Sequence, residues 1–145
     1  MALKLFRAAW FLSALVVLLN LLYVYASLPE TVVVQENAER ISLTREWVFY
    51  IMLGSIVLIN VLVYVLKVFQ EEGANLRAWF HGLIITINIF FIIAMQALNV
   101  YNSSEIFNHN LVTIYLSASL GLILLWAVLW PLYQLYQKFF LKQAV

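Results

Sequence analysis

The chain has 145 residues, of which 66% are hydrophobic and 10% charged, and its formal net charge is +1. Soluble domains carry about 25% charged residues, and a domain of this size could not bury so much apolar surface in water. The composition therefore excludes a soluble globular protein and predicts an integral membrane protein in contact with the lipid bilayer. The small net charge gives no indication of nucleic-acid binding. Since cysteine is absent, disulfides and thiolate chemistry are excluded.

The first apolar segment covers about residues 5–26 and is long enough to cross a bilayer. Lys4 precedes this segment and Arg7 lies near its start, as basic residues do in a secretory signal peptide. However, a cleavage site of small residues after Tyr25 is poorly formed. We therefore expect a retained transmembrane helix. Pro29 marks its exit, because proline cannot continue the hydrogen-bond pattern of a helix.

The longest polar segment, residues 27–46, connects the first two spans. Its part from Thr31 to Gln35 is rich in β-branched residues, which favour extended backbone, and Asn37 favours a turn. Polar and apolar residues then alternate up to Thr44. The pattern predicts a short β-hairpin at the membrane surface, with an irregular loop as the alternative. Thr44 is also a predicted N-cap for the helix that follows.

Residues 28–38, LPETVVVQENA, read as Leu-Pro-Glu-x-Val-x-Val-Gln-x-Asn-Ala between two spans. This segment resembles the small bacterial membrane domain of the Sdp-type immunity and signalling proteins. That family has Leu-Pro-Asp-x-Ile-Pro-x-His-x-Asn-x-x-Gly in the corresponding place, so Val33 and Gln35 stand where it has proline and histidine. The resemblance covers about residues 12–65. It implies an extracytoplasmic loop that senses or binds something, on a helical bundle without enzymatic chemistry.

Three further apolar segments predict helices over about residues 46–69, 76–98 and 110–136. The predicted fold class is thus an all-α membrane protein, a four-transmembrane-helix bundle forming a single domain over residues 1–145. A tight turn connects the second and third helices, with Gly73 as a predicted C-cap. The fourth segment is longer than a bilayer requires, which predicts a helix that tilts or projects from the membrane.

Lysine and arginine are unevenly distributed between the two predicted sides of the membrane. Only Arg40 and Arg45 lie on the side of the polar segment. By the positive-inside rule, we expect cytoplasmic N- and C-termini. We also expect a location in a bacterial inner membrane. The basic residues on the side of the termini are Lys4, Arg7, Lys67, Arg77, Lys138 and Lys142.

Four amide side chains fall inside the predicted spans: Asn20, Asn60, Asn88 and Gln96. An amide in hydrocarbon is costly unless it is hydrogen-bonded. We therefore expect interhelical hydrogen bonds at these positions, with a polar functional site as the alternative. Thr86 needs no such partner, because its hydroxyl can bond the backbone of its own helix.

Residues suited to catalysis are few. No ionisable residue lies in the middle of a span, which argues against a pump or a proton-coupled transporter. His81 and His109 fall on opposite faces of the predicted topology, so they cannot share one metal or haem within the chain, and His81 is expected to be solvated at the interface. No nucleophile is paired with a base. The sequence thus predicts no catalytic residue, no metal site and no cofactor.

The sequence favours a non-catalytic accessory or interaction subunit of a bacterial inner-membrane complex, with other membrane subunits as partners. On the fourth helix, Ser117 and Gly121 form a small-x-x-x-small pair that permits close approach of another helix, although packing within the bundle would use them equally well. The alternative function is handling of a lipid or small molecule at an interfacial site near Trp79 and His81 or near Tyr133 and Tyr136. The predicted partner surface comprises Pro29, Val32, Val34, Asn37, Arg40, Ser117 and Gly121.

Overall fold

The computed structural model describes residues 2–35, 41–69, 74–103 and 109–141. Within them, two strands form an antiparallel hairpin between the first two helices. A short π-helical turn, Gln137–Leu141, follows the last helix. The predicted fold class, a four-helix membrane bundle with a small hairpin, is confirmed. The elements in chain order are α1 (Ala2–Ser27), β1 (Thr31–Gln35), β2 (Ile41–Thr44), α2 (Arg45–Phe69), α3 (Ala74–Tyr101) and α4 (His109–Tyr136).

All four described helices are long and apolar enough to cross a membrane, with mean hydropathies of 2.0 to 2.4 over their spans. In the apolar stretch of each helix, at most 22% of the residues are buried inside the protein. Large apolar side chains therefore point outward, as Leu58 and Leu124 do. An apolar exterior of this extent is stable in hydrocarbon and not in water, so the protein is an integral membrane protein.

The main core lies between α1, α2 and α3. Val17, Leu21 and Val24 of α1 follow the helical spacing that places side chains on one face. They pack with Ile56 of α2 and Met95 of α3. The helix α1 packs most extensively on α3, α2 contacts both, and α4 packs on α3. We call the end that carries the hairpin the hairpin end, and the end where α1 begins and α4 finishes the terminal end.

One helix end differs from the predicted span, and one predicted helix start is confirmed. The helix α3 continues through Asn99 to Tyr101, and the Asn102 N–H closes it by donating to Leu98 O at 3.1 Å and to Asn99 O at 3.2 Å. Polar residues did not end this helix, because at the membrane surface water can solvate them without loss of helical bonds. The predicted N-cap of α2 is confirmed, with the Trp47 N–H donating to Thr44 Oγ1 at 3.5 Å. The predicted cap Gly73 lies outside the described residues.

Candidate functional site

The hairpin rests on the helix ends through one apolar face. Val32 is fully buried, and Leu43, its partner across the two strands, packs against the same core. Neighbouring residues in a strand point to opposite faces, and Thr31, Ser42 and Thr44 are accordingly exposed. The hairpin thus lies over the hairpin end of the bundle with its polar face directed outward.

The side chain of Asn102 fixes β1 to the end of α3. The Val33 N–H donates to Asn102 Oδ1 at 2.7 Å, and Asn102 Nδ2 donates back to Val33 O at 3.0 Å. The same Nδ2 also donates to Leu98 O at 2.9 Å. One amide therefore satisfies both backbone groups of Val33, as a neighbouring strand would, and ties them to α3.

Arg45 joins the exit of α1 to the start of α2. Its backbone N–H donates to Glu30 O at 3.0 Å, and its Nη1 donates to Leu28 O at 3.4 Å. The guanidinium lies 4.9 Å from the centroid of the Tyr25 ring, a cation–π contact that contributes about 0.5–2 kcal/mol. Its Nε is 4.0 Å from the Glu46 carboxylate. Asn102 and Arg45 thus hold the hairpin at two separate points.

A polar network connects α1, α2 and α3 in the terminal half of the bundle. Asn60 and Asn88 pair reciprocally, with Nδ2 to Oδ1 distances of 2.9 and 3.1 Å. Trp10 Nε1 donates to Asn60 Oδ1 at 2.9 Å, and Asn88 Nδ2 donates to Ser13 Oγ at 2.9 Å. Asn88 is fully buried and lies about 21 Å along α3 from its first residue, at 1.5 Å per residue.

The donors of this network are all used. The second hydrogen of Asn60 Nδ2 is donated to Ile56 O at 2.9 Å, and Ser13 Oγ donates to Trp10 O at 2.8 Å. Both N–H groups of each asparagine amide have a partner, which also determines the orientation of the two amides. A polar network of this kind, fully satisfied in an apolar surrounding, rigidifies the helices that it joins. It leaves no donor of these two amides for a ligand.

A second amide pair links α1 and α3 nearer to the hairpin end. Gln96 Nε2 donates to Asn20 Oδ1 at 2.5 Å, whereas the buried Asn20 Nδ2 has no hydrogen-bond partner. All four amides predicted to make interhelical contacts thus lie in two groups that join different helices. Thr86, as predicted, instead donates to its own helix, at Leu83 O, with a distance of 2.7 Å.

His81 is not the solvated interfacial residue expected from the sequence. Its residue surface is only 6% exposed, and its ring meets the Trp10 ring edge-on at a centroid distance of 5.8 Å. Its Nδ1 lies 2.5 Å from Arg77 O, and since a carbonyl only accepts, Nδ1 carries a hydrogen. The expectation was wrong because the rotation of α3, which the sequence does not specify, turns this side chain toward α1.

A pair of tryptophans fastens α4 to α3. Trp79 Nε1 donates to Trp126 O at 2.8 Å, and Trp126 Nε1 donates to Trp79 O at 2.9 Å. The Trp126 indole lies directly over Gly82, where any added Cβ would overlap the ring. Glycine is therefore required at position 82 for this close approach of the two helices.

Toward the hairpin end, α3 and α4 are separated by a groove of about 360 Å³. This volume is in the range of small-molecule sites, which are mostly apolar with a few polar groups. Gln96 supplies an amide and Tyr115 a phenol, and Tyr115 is 60% exposed at the groove. The other residues lining the groove are apolar: Ile92, Ile93, Ala97, Val100, Leu111 and Val112.

The predicted pair of small residues on α4, Ser117 and Gly121, does not pack within the bundle. Ser117 and Gly121 are exposed, and no other atom lies within 4 Å of a Cβ built at Gly121. Ser119 instead faces inward and is buried, with Oγ donating to Leu116 O at 2.8 Å. Of the two readings that the sequence left open for this pair, intramolecular packing is therefore excluded.

Comparisons with known proteins add no family to this geometry. No protein-family model, curated protein or solved structure matches the chain. The resemblance of residues 28–38 to the Sdp-type domain therefore stays a prediction. Within the described residues, no group of three or more His, Asp or Glu side chains is placed to hold a metal ion.

The structure corrects part of the predicted partner surface in the segment between α1 and α2. Pro29 is exposed, as is Val34 at 47%, but Val32 faces the core and was wrongly assigned to the surface. Side chains alternate between the two faces of β1, so Val32 faces the core while its neighbours Thr31 and Val33 point away from it. Asn37 and Arg40 of the predicted surface lie outside the described residues.

Sequence reasoning also missed residues that organise both polar groups. Asn102, which holds the hairpin, belongs to none of the predicted sites, and its Nδ2 donates two hydrogen bonds. Trp10 and Ser13 bond the asparagine pair. No pattern identifies them, although the spacing of Trp10 and Ser13 places them on one face of α1.

Proposed function

We propose that this protein is a non-catalytic interaction subunit of a membrane protein complex and that the hairpin is its docking surface. The observation that carries the proposal is the double attachment of the hairpin by Asn102 and Arg45, with its polar face left exposed. An isolated two-stranded hairpin is only marginally stable in water. A hairpin fixed in advance loses less conformational entropy when a partner binds it.

The polar groups inside the spans support a non-catalytic role. The amides of Asn60 and Asn88 donate all their hydrogens to protein acceptors. His81, the buried titratable group nearest to them, already donates to a backbone carbonyl through Nδ1 and is covered by Trp10. These groups therefore act as connections between helices and offer no free acid–base pair to a substrate.

We further propose that the protein lies in a bacterial inner membrane with both termini in the cytoplasm. In the predicted topology, six basic residues lie on the side of the termini and two on the opposite side, an asymmetry that follows the positive-inside rule. One of the two, Arg45, is already engaged with Leu28 O and Tyr25. Reporter fusions at Glu36 and Glu105 are expected to read as extracytoplasmic and a fusion at Glu72 as cytoplasmic. A cytoplasmic reading at Glu36 would reverse the orientation.

The docking role is tested by purification in a gentle detergent with a C-terminal tag. We expect specific membrane proteins to co-purify with the wild-type protein. They should not co-purify with V34R, which alters an exposed residue of the hairpin. The control is T86V, which removes a hydroxyl bonded only to its own helix. A protein that emerges alone, monodisperse and monomeric contradicts the docking role. If V34R recovers as much partner protein as the wild type does, the docking surface does not lie on the hairpin.

The groove between α3 and α4 favours a second candidate function, handling of a lipid or small molecule. Its volume and apolar lining suit one hydrocarbon chain, and Gln96, whose Nε2 donates to Asn20, supplies the amide of the lining. Native mass spectrometry from a mild detergent should then show a bound lipid with wild-type protein. A97W, which fills the groove, should abolish it, whereas G121W on the exposed face of α4 should not. Wild-type protein without bound lipid would remove this candidate.

A further inference from the structure

The two outer edges of the hairpin are unequal. The outer edge of β1 is occupied at Val33 by the Asn102 amide. The main contacts of β2 beyond β1 are with α2, which begins at the next residue, and Ser42 and Thr44 are exposed. A strand with an unpaired edge is a template for pairing with a further strand.

The register shows which backbone groups of β2 are free. In an antiparallel pair, opposite residues alternate between those that bond each other and those whose N–H and C=O groups point away. Val33 directs both groups to Asn102, so its partner across the strands, Ser42, also directs both outward. The Arg45 N–H to Glu30 O bond fits the same alternation three residues along. Across the described residues, no hydrogen bond occupies the Ser42 N–H or C=O.

We propose that a second copy of this chain occupies this edge, with the two β2 strands paired antiparallel about Ser42. The inference rests on the proposed docking role of the hairpin and names its partner. The Ser42 N–H would donate to the C=O of the partner's Ser42, and the reciprocal bond would form by symmetry. The two hairpins then make one four-stranded sheet across two protomers.

The membrane geometry favours a second copy over an unrelated strand. Two copies inserted in the same direction in one bilayer are related by a two-fold axis along the membrane normal. The hairpin lies across the helix ends, with Val32 and Leu43 toward the core and Ser42 outward, so this axis crosses the sheet. An axis that crosses a sheet between two strands relates them as an antiparallel pair.

The same arrangement explains why pairing stops at a dimer. An isologous contact uses the same surface on both subunits and closes on itself. After β2 has paired, the outermost strands of the sheet are the two β1 strands, and the Asn102 amide of each protomer blocks them at Val33. The strand β2 is also only four residues long, and short edge strands limit indiscriminate pairing.

Single-cysteine cross-linking in membranes tests the proposal directly, because the chain has no cysteine of its own. In S42C, the two Cα atoms of an opposed hydrogen-bonded pair would lie about 5.5 Å apart, within the range that a disulfide bridges. We expect oxidation to convert S42C into a covalent dimer. The matched control is T31C, an exposed residue on β1, whose two copies would be separated by three strand spacings, about 14 Å. It should stay monomeric, since disulfides do not bridge Cα atoms more than about 7 Å apart.

A second variant tests the same edge without cross-linking. The Ser42 N–H is outside the β1–β2 ladder, and proline is tolerated at an edge position whose N–H faces outward. S42P removes both intermolecular donors, and we expect the dimer measured by single-molecule counting in liposomes to weaken roughly ten- to hundredfold. Undiminished dimer with S42P, or no dimer with S42C, would overturn the proposal.

The mass of the cross-linked species separates this proposal from the wider docking role. A dimer of S42C supports pairing of two copies. A covalent product with a different membrane protein refutes the second copy as occupant while leaving the hairpin as a docking surface. If S42C stays monomeric and partner proteins are recovered through another surface, both the pairing of two copies and the docking role of the hairpin are refuted.

Discussion

Replacement of Asn88 by leucine tests how strongly the polar network holds the three helices together. N88L keeps the branched shape of the side chain but removes three interhelical hydrogen bonds, two with Asn60 and one with Ser13. At about 0.6 kcal/mol for each such bond in a membrane, their loss costs about 2 kcal/mol. It also leaves one N–H of the half-buried Asn60 without a partner inside the membrane span, which adds about 1 kcal/mol or more. We therefore expect the free energy of unfolding to fall by about 3 kcal/mol.

The measurement is reversible unfolding in mixed micelles by sodium dodecyl sulfate, followed by tryptophan fluorescence. The matched control is T86V, because Thr86 lies on the same helix, is equally buried, and loses only a bond to its own backbone. We expect that control to change the unfolding free energy by less than about 1 kcal/mol. A comparison of N88L with T86V thus isolates the interhelical part of the effect.

A double-mutant cycle with N60L sharpens the test. Both single variants break the same two reciprocal bonds, and each leaves its former partner amide unsatisfied. The loss in N60L/N88L should therefore be smaller than the sum of the single losses, by about 1–3 kcal/mol. Strict additivity, or an N88L protein as stable as T86V, would show that the amide pair does not hold the helices together.

Three further results are expected from the packing of α4 and the attachment of the hairpin. G82A should destabilise the protein by about 1–3 kcal/mol, because its methyl group would overlap the Trp126 ring. G121A, on the same bundle with open space around it, should change thermal stability by less than about 0.5 kcal/mol, and equal effects of the two substitutions would contradict the predicted clash. N102D keeps an acceptor for the Val33 N–H, but its carboxylate cannot donate to the Val33 and Leu98 carbonyls and repels them. We therefore expect hydrogen exchange at the Val33 amide to become about tenfold faster. Unchanged exchange there would mean that Asn102 does not fix β1.

The sequence was sufficient for the parts of the fold that depend on composition along the chain. Four apolar segments of about 20 residues or more predicted the four helices, since length and hydropathy alone decide whether a helix spans a bilayer. The β-branched run beginning at Thr31 predicted the hairpin, and Thr44 predicted the start of α2. These features are local, so neighbouring residues in the chain contain the information.

Features that depend on the rotation of one helix against another were not predictable in the same way. The need of Asn20, Asn60 and Asn88 for partners follows from their chemistry, but the pairing of Asn20 with Gln96 depends on which faces meet. His81 was misplaced for the same reason. The role of Asn102 was missed because its partners are backbone groups of β1, which show no pattern of residue types.

The attachment of α4 has a consequence for the order in which the chain assembles. No described residue of α4 belongs to the main core cluster, and none joins the amide network of α1, α2 and α3. The first three helices can therefore close around their amides while α4 is still being synthesised. The last helix can dock afterwards, with the Trp126 indole seated over Gly82. The packing thus allows assembly in two stages, with three helices first and α4 last.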